Sequence, residues 1–190
     1  MTRMTELLQI NLLTLLGCIP IVTAGAALSA MHACLQRMER REEGYMGRLF
    51  CDNFIRGFKK ATLLWIPFAL IFLGVMANIF VWITAPQVLP MPLRVVSGTA
   101  GIITFFIFQW VYPLQVRFEL PVTEILRMAL FLAAARFPKT LLMSVCWCVP
   151  VILLRFMPAW PLIVLFGLSV PGWVGTKIYS PILRELEGTK

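Results

Sequence analysis

The stretch that decides the fold is ATLLWIPFALIFLGVMANIFVWITA, residues 61–85. It holds no Asp, Glu, Lys or Arg, and Lys59 and Lys60 stand directly before it. A helix needs about 20 apolar residues to cross the hydrocarbon core of a bilayer. Lipid offers no hydrogen-bond partner to an open backbone, so the expected form is a membrane-spanning α-helix.

The same reading works outward along the chain. Charge-free runs also cover 7–36, 95–116, 140–154 and 156–176. They predict an all-α polytopic transmembrane helix bundle with about five membrane segments, at 7–35, 61–85, 95–116, 139–157 and 158–177. The fourth run is short, but Lys139 and Arg155 can extend their charges to the two interfaces. The whole chain, 1–190, reads as one integral membrane domain.

Composition agrees. Hydrophobic residues make up 59% of the 190 and charged residues 14%. A soluble domain of this size has too much surface for its volume to hide so much apolar area. The net charge of +8 sits in short clusters between apolar runs, a pattern suited to anionic headgroups and not to nucleic acid. With five spans, fourteen of the 17 Lys and Arg residues fall on one side, in the segments 37–60 and 117–139 and the tail. Arg3, Arg94 and Arg155 fall on the other. Basic residues concentrate on the cytoplasmic side. The expected location is therefore the bacterial cytoplasmic membrane, with multiple passes.

Two cytoplasmic segments read as amphipathic interfacial helices. In 45–60, Phe50, Phe54 and Phe58 recur every four residues, with Arg48, Asp52, Arg56, Lys59 and Lys60 on other faces. Such a stripe suits the headgroup boundary, and suits equally the protein's own helices. In 122–137, Ile125, Leu126, Ala129, Leu130, Leu132 and Ala133 supply apolar faces, and Glu124 lies in the first turn, where the helix dipole favours an acid.

The first run is interrupted by Gly17-Cys18-Ile19-Pro20-Ile21-Val22-Thr23-Ala24-Gly25. Proline removes a backbone donor and clashes with the turn before it. One outcome is a single kinked span. The other is two half-helices folded into a hairpin, which requires protein or a water-filled cavity around the break.

Little else points to chemistry. No ionisable acid or base lies centrally in a span, which argues against a carboxylate proton relay. The five cysteines and one histidine lack metal-ligand spacing, and no serine has a histidine–acid pairing. His32 reads as an interfacial histidine. No enzyme, metal or cofactor is expected. The candidate site is the helix break, Pro20, Thr23 and Gly25, together with the neutral span residues Asn78 and Gln109. A candidate cytoplasmic contact surface comprises Arg48, Phe50, Phe54, Arg56, Phe58, Arg136 and Lys139.

Several motifs together resemble the YesL-like family of bacterial membrane proteins. They are Asn11-Leu12-Leu13-Thr14, Ile19-Pro20-Ile21-Val22-Thr23-Ala24-Gly25, the spaced phenylalanines ending in Phe58-Lys59, Tyr112-Pro113-Leu114 with Arg117-Phe118, and Pro138-Lys139-Thr140. That family has no known biochemical activity. Its members are associated with genes for carbohydrate uptake, which implies an accessory or regulatory role beside a carbohydrate ABC importer, with its subunits and the lipid bilayer as partners. The alternative reading of the residues is a small transporter or channel for a neutral solute, with the Pro20–Gly25 break lining the site.

Overall fold

The computed structural model describes residues 3–40, 42, 44–85, 87, 90–153 and 166–188. These are helical, with no strand among them: α1 (Arg3–Cys18), α2 (Ala24–Glu39), α3 (Met46–Thr84), α4 (Met91–Arg117), α5 (Val122–Ala135), α6 (Phe137–Leu153) and α7 (Ser169–Gly188). Two helices, α3 and α4, are long and apolar enough to cross a membrane, and the bent pair α5–α6 makes a third if it forms one span.

The first apolar run is not one helix. Pro20 takes an extended conformation, with φ −79° and ψ 119°, and a single 3-10 turn at Ile21–Thr23 separates α1 from α2. The two helices then pack side by side. Leu7 and Ile10 of α1 share a buried cluster with Met31, Cys34, Leu35 and Met38 of α2. Contact so far from the turn requires a hairpin, which excludes the kinked-span alternative.

The segment 45–60 is not a separate interfacial helix. It is the first part of α3, which continues through Lys59 and Lys60 without a break. Charged side chains end a hydropathy run but leave helical hydrogen bonds intact. At 39 residues, a straight α3 would be roughly 58 Å long, nearly twice the hydrocarbon thickness. Its uncharged part, 61–84, accounts for about 36 Å of that. The charged first part packs along α2, where Phe50 and Met46 enter the α1–α2 cluster.

Helix α4 runs back along α3. Phe108 is the hub of this contact, with ring centroids 5.7 Å from Trp65, 5.3 Å from Phe68 and 5.7 Å from Phe72. Edge-to-face geometry dominates these pairs, as the ring quadrupole prefers. Beyond this hub the two helices project as a pair with bare apolar sides, including Leu73, Phe80, Ile83, Val95 and Val96. Lipid is the natural cover for such a surface.

The amphipathic helix expected at 122–137 is α5, with Ile125, Ala129, Leu132 and Ala133 buried. Its axis meets that of α6 at 97°. Pro138 sits in the first turn of α6, where its missing N–H costs nothing and its ring bars continuation from α5. The membrane segment expected at 139–157 coincides with α6 over 139–153. Of the segment expected at 158–177, residues 158–165 lie outside the described residues, and 169–177 form the start of α7.

Helix α7 closes the bundle against α2, α4 and α6. Asn11 Oδ1 accepts the backbone N–H groups of Leu168 and Ser169 at 2.9 and 3.0 Å. At the opposite end of α7, Arg117 binds Glu187 through two hydrogen bonds. Arg136 donates to Glu185 at 2.8 Å, and Arg184 and Ser180 donate to Glu39 at 3.0 Å. The ends of α2, α4, α5 and α7 are thus tied together at one basic pole. Arg94 lies at the other end of α4.

Candidate functional site

The helix break is exposed from Ile19 to Val22 and turns inward at Ala24 and Gly25. Gly25 is buried, and a Cβ there would lie 2.5 Å from Trp65 Cβ, 2.7 Å from the Ala61 carbonyl oxygen and 3.1 Å from the Tyr112 hydroxyl. Only glycine admits such an approach. The carbonyl of Ile21, which closes the 3-10 turn by accepting the Ala24 N–H, also accepts the Trp65 indole N–H at 2.8 Å. Thr23 donates to carbonyls of the same turn, Gly17 at 2.6 Å and Pro20 at 2.9 Å. Its hydroxyl closes the turn and is spent there.

Beside the break lies a cavity of about 450 Å³, bounded by α2, α3, α4, α6 and α7. Aromatic walls come from Trp65, Phe72, Phe105, Phe108, Tyr112, Trp147 and Tyr179. Its polar residues include His32, Gln109 and the two tyrosines, and no Asp, Glu, Lys or Arg is among its described lining residues. That volume is within the usual range for small-molecule sites.

The hydrogen bonds around it fix the polar groups. Ser144 donates to the Thr140 carbonyl at 2.9 Å, so it accepts from Gln109 Nε2 at 2.6 Å. This orients the amide and leaves Gln109 Oε1 buried with no partner. Thr176 donates to the Gly172 carbonyl at 2.9 Å, so the Tyr179 hydroxyl donates to Thr176 at 2.9 Å. Tyr179 then accepts from His32 Nδ1 at 3.2 Å. The Tyr112 hydroxyl is also buried and has no hydrogen-bond partner among the described residues. Buried polar atoms normally find partners, so Gln109 Oε1 and the Tyr112 hydroxyl, three positions apart on α4, are two exceptions on one helix.

The residues singled out from sequence separate in space. Gln109 lines the cavity and Gly25 abuts Tyr112 beside it. Pro20 is exposed at the turn. Asn78 is elsewhere, in a cleft of about 560 Å³ between α3 and α4 with Trp82, Arg94 and Ser97. His32 lies inside the protein: it is 7% exposed and stacks on Tyr112. Tyr112, Tyr179 and Trp65 were not anticipated as site residues. A Tyr within an apolar run was the one available signal, because a buried phenol needs a partner.

The proposed contact surface is also divided. Arg48 and Arg56 are exposed. Phe50 is 4% exposed and belongs to the core, while Phe54 and Phe58 pack partly against the same helices. The aromatic stripe therefore binds the protein's own hairpin. Arg136 is held by Glu185, and Lys139 is half-buried at the start of α6. No group of three or more His, Cys, Asp or Glu residues suited to a metal occurs among the described residues.

Among known proteins, the family described as "Protein of unknown function, DUF624" matches residues 7–79, which covers α2 and most of α1 and α3. No curated protein and no solved structure matches. The chain is a helical protein with two or three helices able to cross a membrane among the described residues, similar over 7–79 to a family whose function is unknown.

Proposed function

We propose that this chain is a multi-pass membrane protein that receives a small uncharged solute in the cavity beside the Pro20–Gly25 break and moves it across the bilayer. One observation carries the reading: an aromatic-walled cavity next to a broken helix, with no Asp, Glu, Lys or Arg among its described lining residues. Broken helices at membrane depth persist where they line a cavity, and half-helix ends commonly build transporter sites. A charged substrate would find no counter-ion among those described residues.

Reconstitution in liposomes with a panel of uncharged solutes tests it. Gly175→Leu is the control. Gly175 lines the cavity, and a Cβ there meets nothing closer than Met143 Cε at 3.8 Å. The expected result is flux of at least one solute by the native protein, lost in Gly175→Leu. Flux no greater than that of empty vesicles across the whole panel rejects the proposal.

A second reading rests on a different observation. Arg48, Ile55, Arg56 and Lys59 are exposed along the first part of α3. This basic ridge favours an accessory role, in which the protein docks on an acidic face of a carbohydrate importer in a bacterial cytoplasmic membrane. Co-purification in mild detergent, lost when Arg48 and Arg56 are changed to Glu, is the expected outcome. Recovery of lipid alone refutes it.

A further inference from the structure

We propose that this chain pairs with a second copy of itself in the bilayer, through the cleft between α3 and α4 that holds Asn78. The proposal is independent of the cavity beside the helix break.

The cleft occupies about 560 Å³, and its lining includes Asn78, Ile79, Val95, Ser97 and Gly98. Asn78 is half-buried there, and its side-chain amide makes no hydrogen bond to any described residue. Depth makes that costly. The uncharged part of α3, 61–84, is centred between residues 72 and 73, and Asn78 stands about 8 Å along the axis from that point. The hydrocarbon core reaches about 15 Å to either side of its middle. Asn78 therefore sits at hydrocarbon depth, where lipid tails neither donate nor accept. Its amide carries a free-energy cost until another chain meets it.

The chemistry of the amide identifies that chain. A carboxamide holds both donors and an acceptor, so two of them satisfy each other. Copies of one protein insert with the same orientation, and each residue then stands at the same depth in every copy. A twofold axis along the membrane normal brings Asn78 to Asn78 without any shift in depth, and twofold pairs are the commonest symmetric assemblies. A foreign helix must supply a polar group at that level by its own sequence.

The cleft also lets a neighbour come close. A Cβ on Gly101 would lie 3.1 Å from Val75 Cγ2, so Gly101 and Val75 are in contact. The antiparallel register of α3 and α4 then sets Gly98 level with Asn78. A Cβ on Gly98 would meet nothing within 4 Å. Bare backbone of this kind permits the close helix approach on which association in membranes depends. Arg94 stands in the first turn of α4, near enough to the membrane surface for its charge to reach the headgroups.

The experiment is energy transfer between copies in phosphatidylcholine liposomes. The full chain is labelled at its exposed cysteines, Cys51 and Cys148, with donor or acceptor dye. The two pools are reconstituted together, and the protein-to-lipid ratio is lowered stepwise. Transfer above the level of random crowding is expected for the native protein. Asn78→Leu weakens the association about 10-fold, the equivalent of one interhelical hydrogen bond. Asn78→Gln keeps an amide at the same level and retains most of the association. Gly98→Leu fills the cleft and abolishes it. The melting temperature of Asn78→Leu, measured at dilutions where the native protein is unpaired, does not fall, because a single copy has no partner there to lose.

Transfer at the random level at every ratio overturns the proposal. So does transfer that keeps its native strength in either Asn78→Leu or Gly98→Leu, because the copies then meet elsewhere. A fall in the melting temperature of unpaired Asn78→Leu assigns the amide to the fold of one copy and also overturns it. Random transfer with a phospholipid retained on mild extraction, and lost in Gly98→Leu, gives the cleft to lipid in place of a second copy.

Discussion

His32 of α2 and Tyr112 of α4 lie face to face, with ring centroids 6.3 Å apart and planes 8° from parallel. Tyr179 of α7 meets the same imidazole from another side, at 6.1 Å. Three helices thus converge on one neutral histidine, and its ring is fixed by packing as well as by a hydrogen bond. A Tyr179→Phe variant keeps the packing and removes the acceptor for Nδ1–H. Loss of about 1–2 kcal/mol of stability is expected for a buried donor left unmade. Thermal unfolding in detergent measures it, and an unchanged midpoint would contradict the assigned network.

Gly25 should tolerate nothing larger. Two of the neighbours that a Cβ would meet are the Trp65 Cβ and the Ala61 carbonyl, neither of which lies at a flexible end. Gly25→Ala is expected to destabilise by roughly 1–3 kcal/mol, the usual cost of forcing atoms into a packed interior. Gly74→Ala is the control, since nothing lies within 4 Å of that position. Comparable melting temperatures for the two variants would refute the close approach at the break.

The ion pairs at the basic pole should differ in weight. The Arg117 side chain is 9% exposed and that of Arg136 is 42% exposed. Removing Arg117 leaves Glu187 without its two hydrogen bonds in a partly desolvated place. A loss of about 1–3 kcal/mol is expected for Arg117→Ala and less than about 1 kcal/mol for Arg136→Ala. Salt titration of the midpoint separates them further, because screening acts mainly on exposed pairs.

Cysteine reactivity checks the packing of the α2–α3 hairpin. Cys51 and Cys148 are exposed, whereas Cys34 is buried and faces the Met46 carbonyl. In detergent, a maleimide should modify Cys51 rapidly and Cys34 only after unfolding. Rapid modification of Cys34 in the folded protein would place α3 elsewhere.

Much of this architecture was legible because lipid imposes a simple rule on sequence. The charge-free run at 95–116 marks α4 within a few residues, and the run at 61–85 marks the end of α3. The alternation around Ile125 and Ala129 marks α5. The 45–60 segment shows where the rule stops. Lys59 and Lys60 end the apolar run, but a helix can cross an interface without breaking, so one element was read as two. Pro20 and Gly25 located the break but not its angle, since a kink and a hairpin need the same local chemistry. What decides between them is packing of Leu7 and Ile10 on Met31 and Leu35, a tertiary contact. His32 was misplaced for the same reason. Its partner Tyr179 is 147 positions away, and nothing near it in the chain reveals that a phenol will meet it.

The stitch from Asn11 to Leu168 and Ser169 has a consequence for biogenesis. During synthesis the first helix emerges long before α7, and the Asn11 amide oxygen cannot meet the Leu168 and Ser169 N–H groups until the ribosome has passed residue 169. The wall supplied by Gly172, Gly175 and Tyr179 arrives in the same late step. The cavity therefore does not exist on the nascent chain. Newly inserted protein must hold a half-built bundle in the membrane until α7 docks, and a ribosome stalled before that helix would leave a chain with its spans in place and no site.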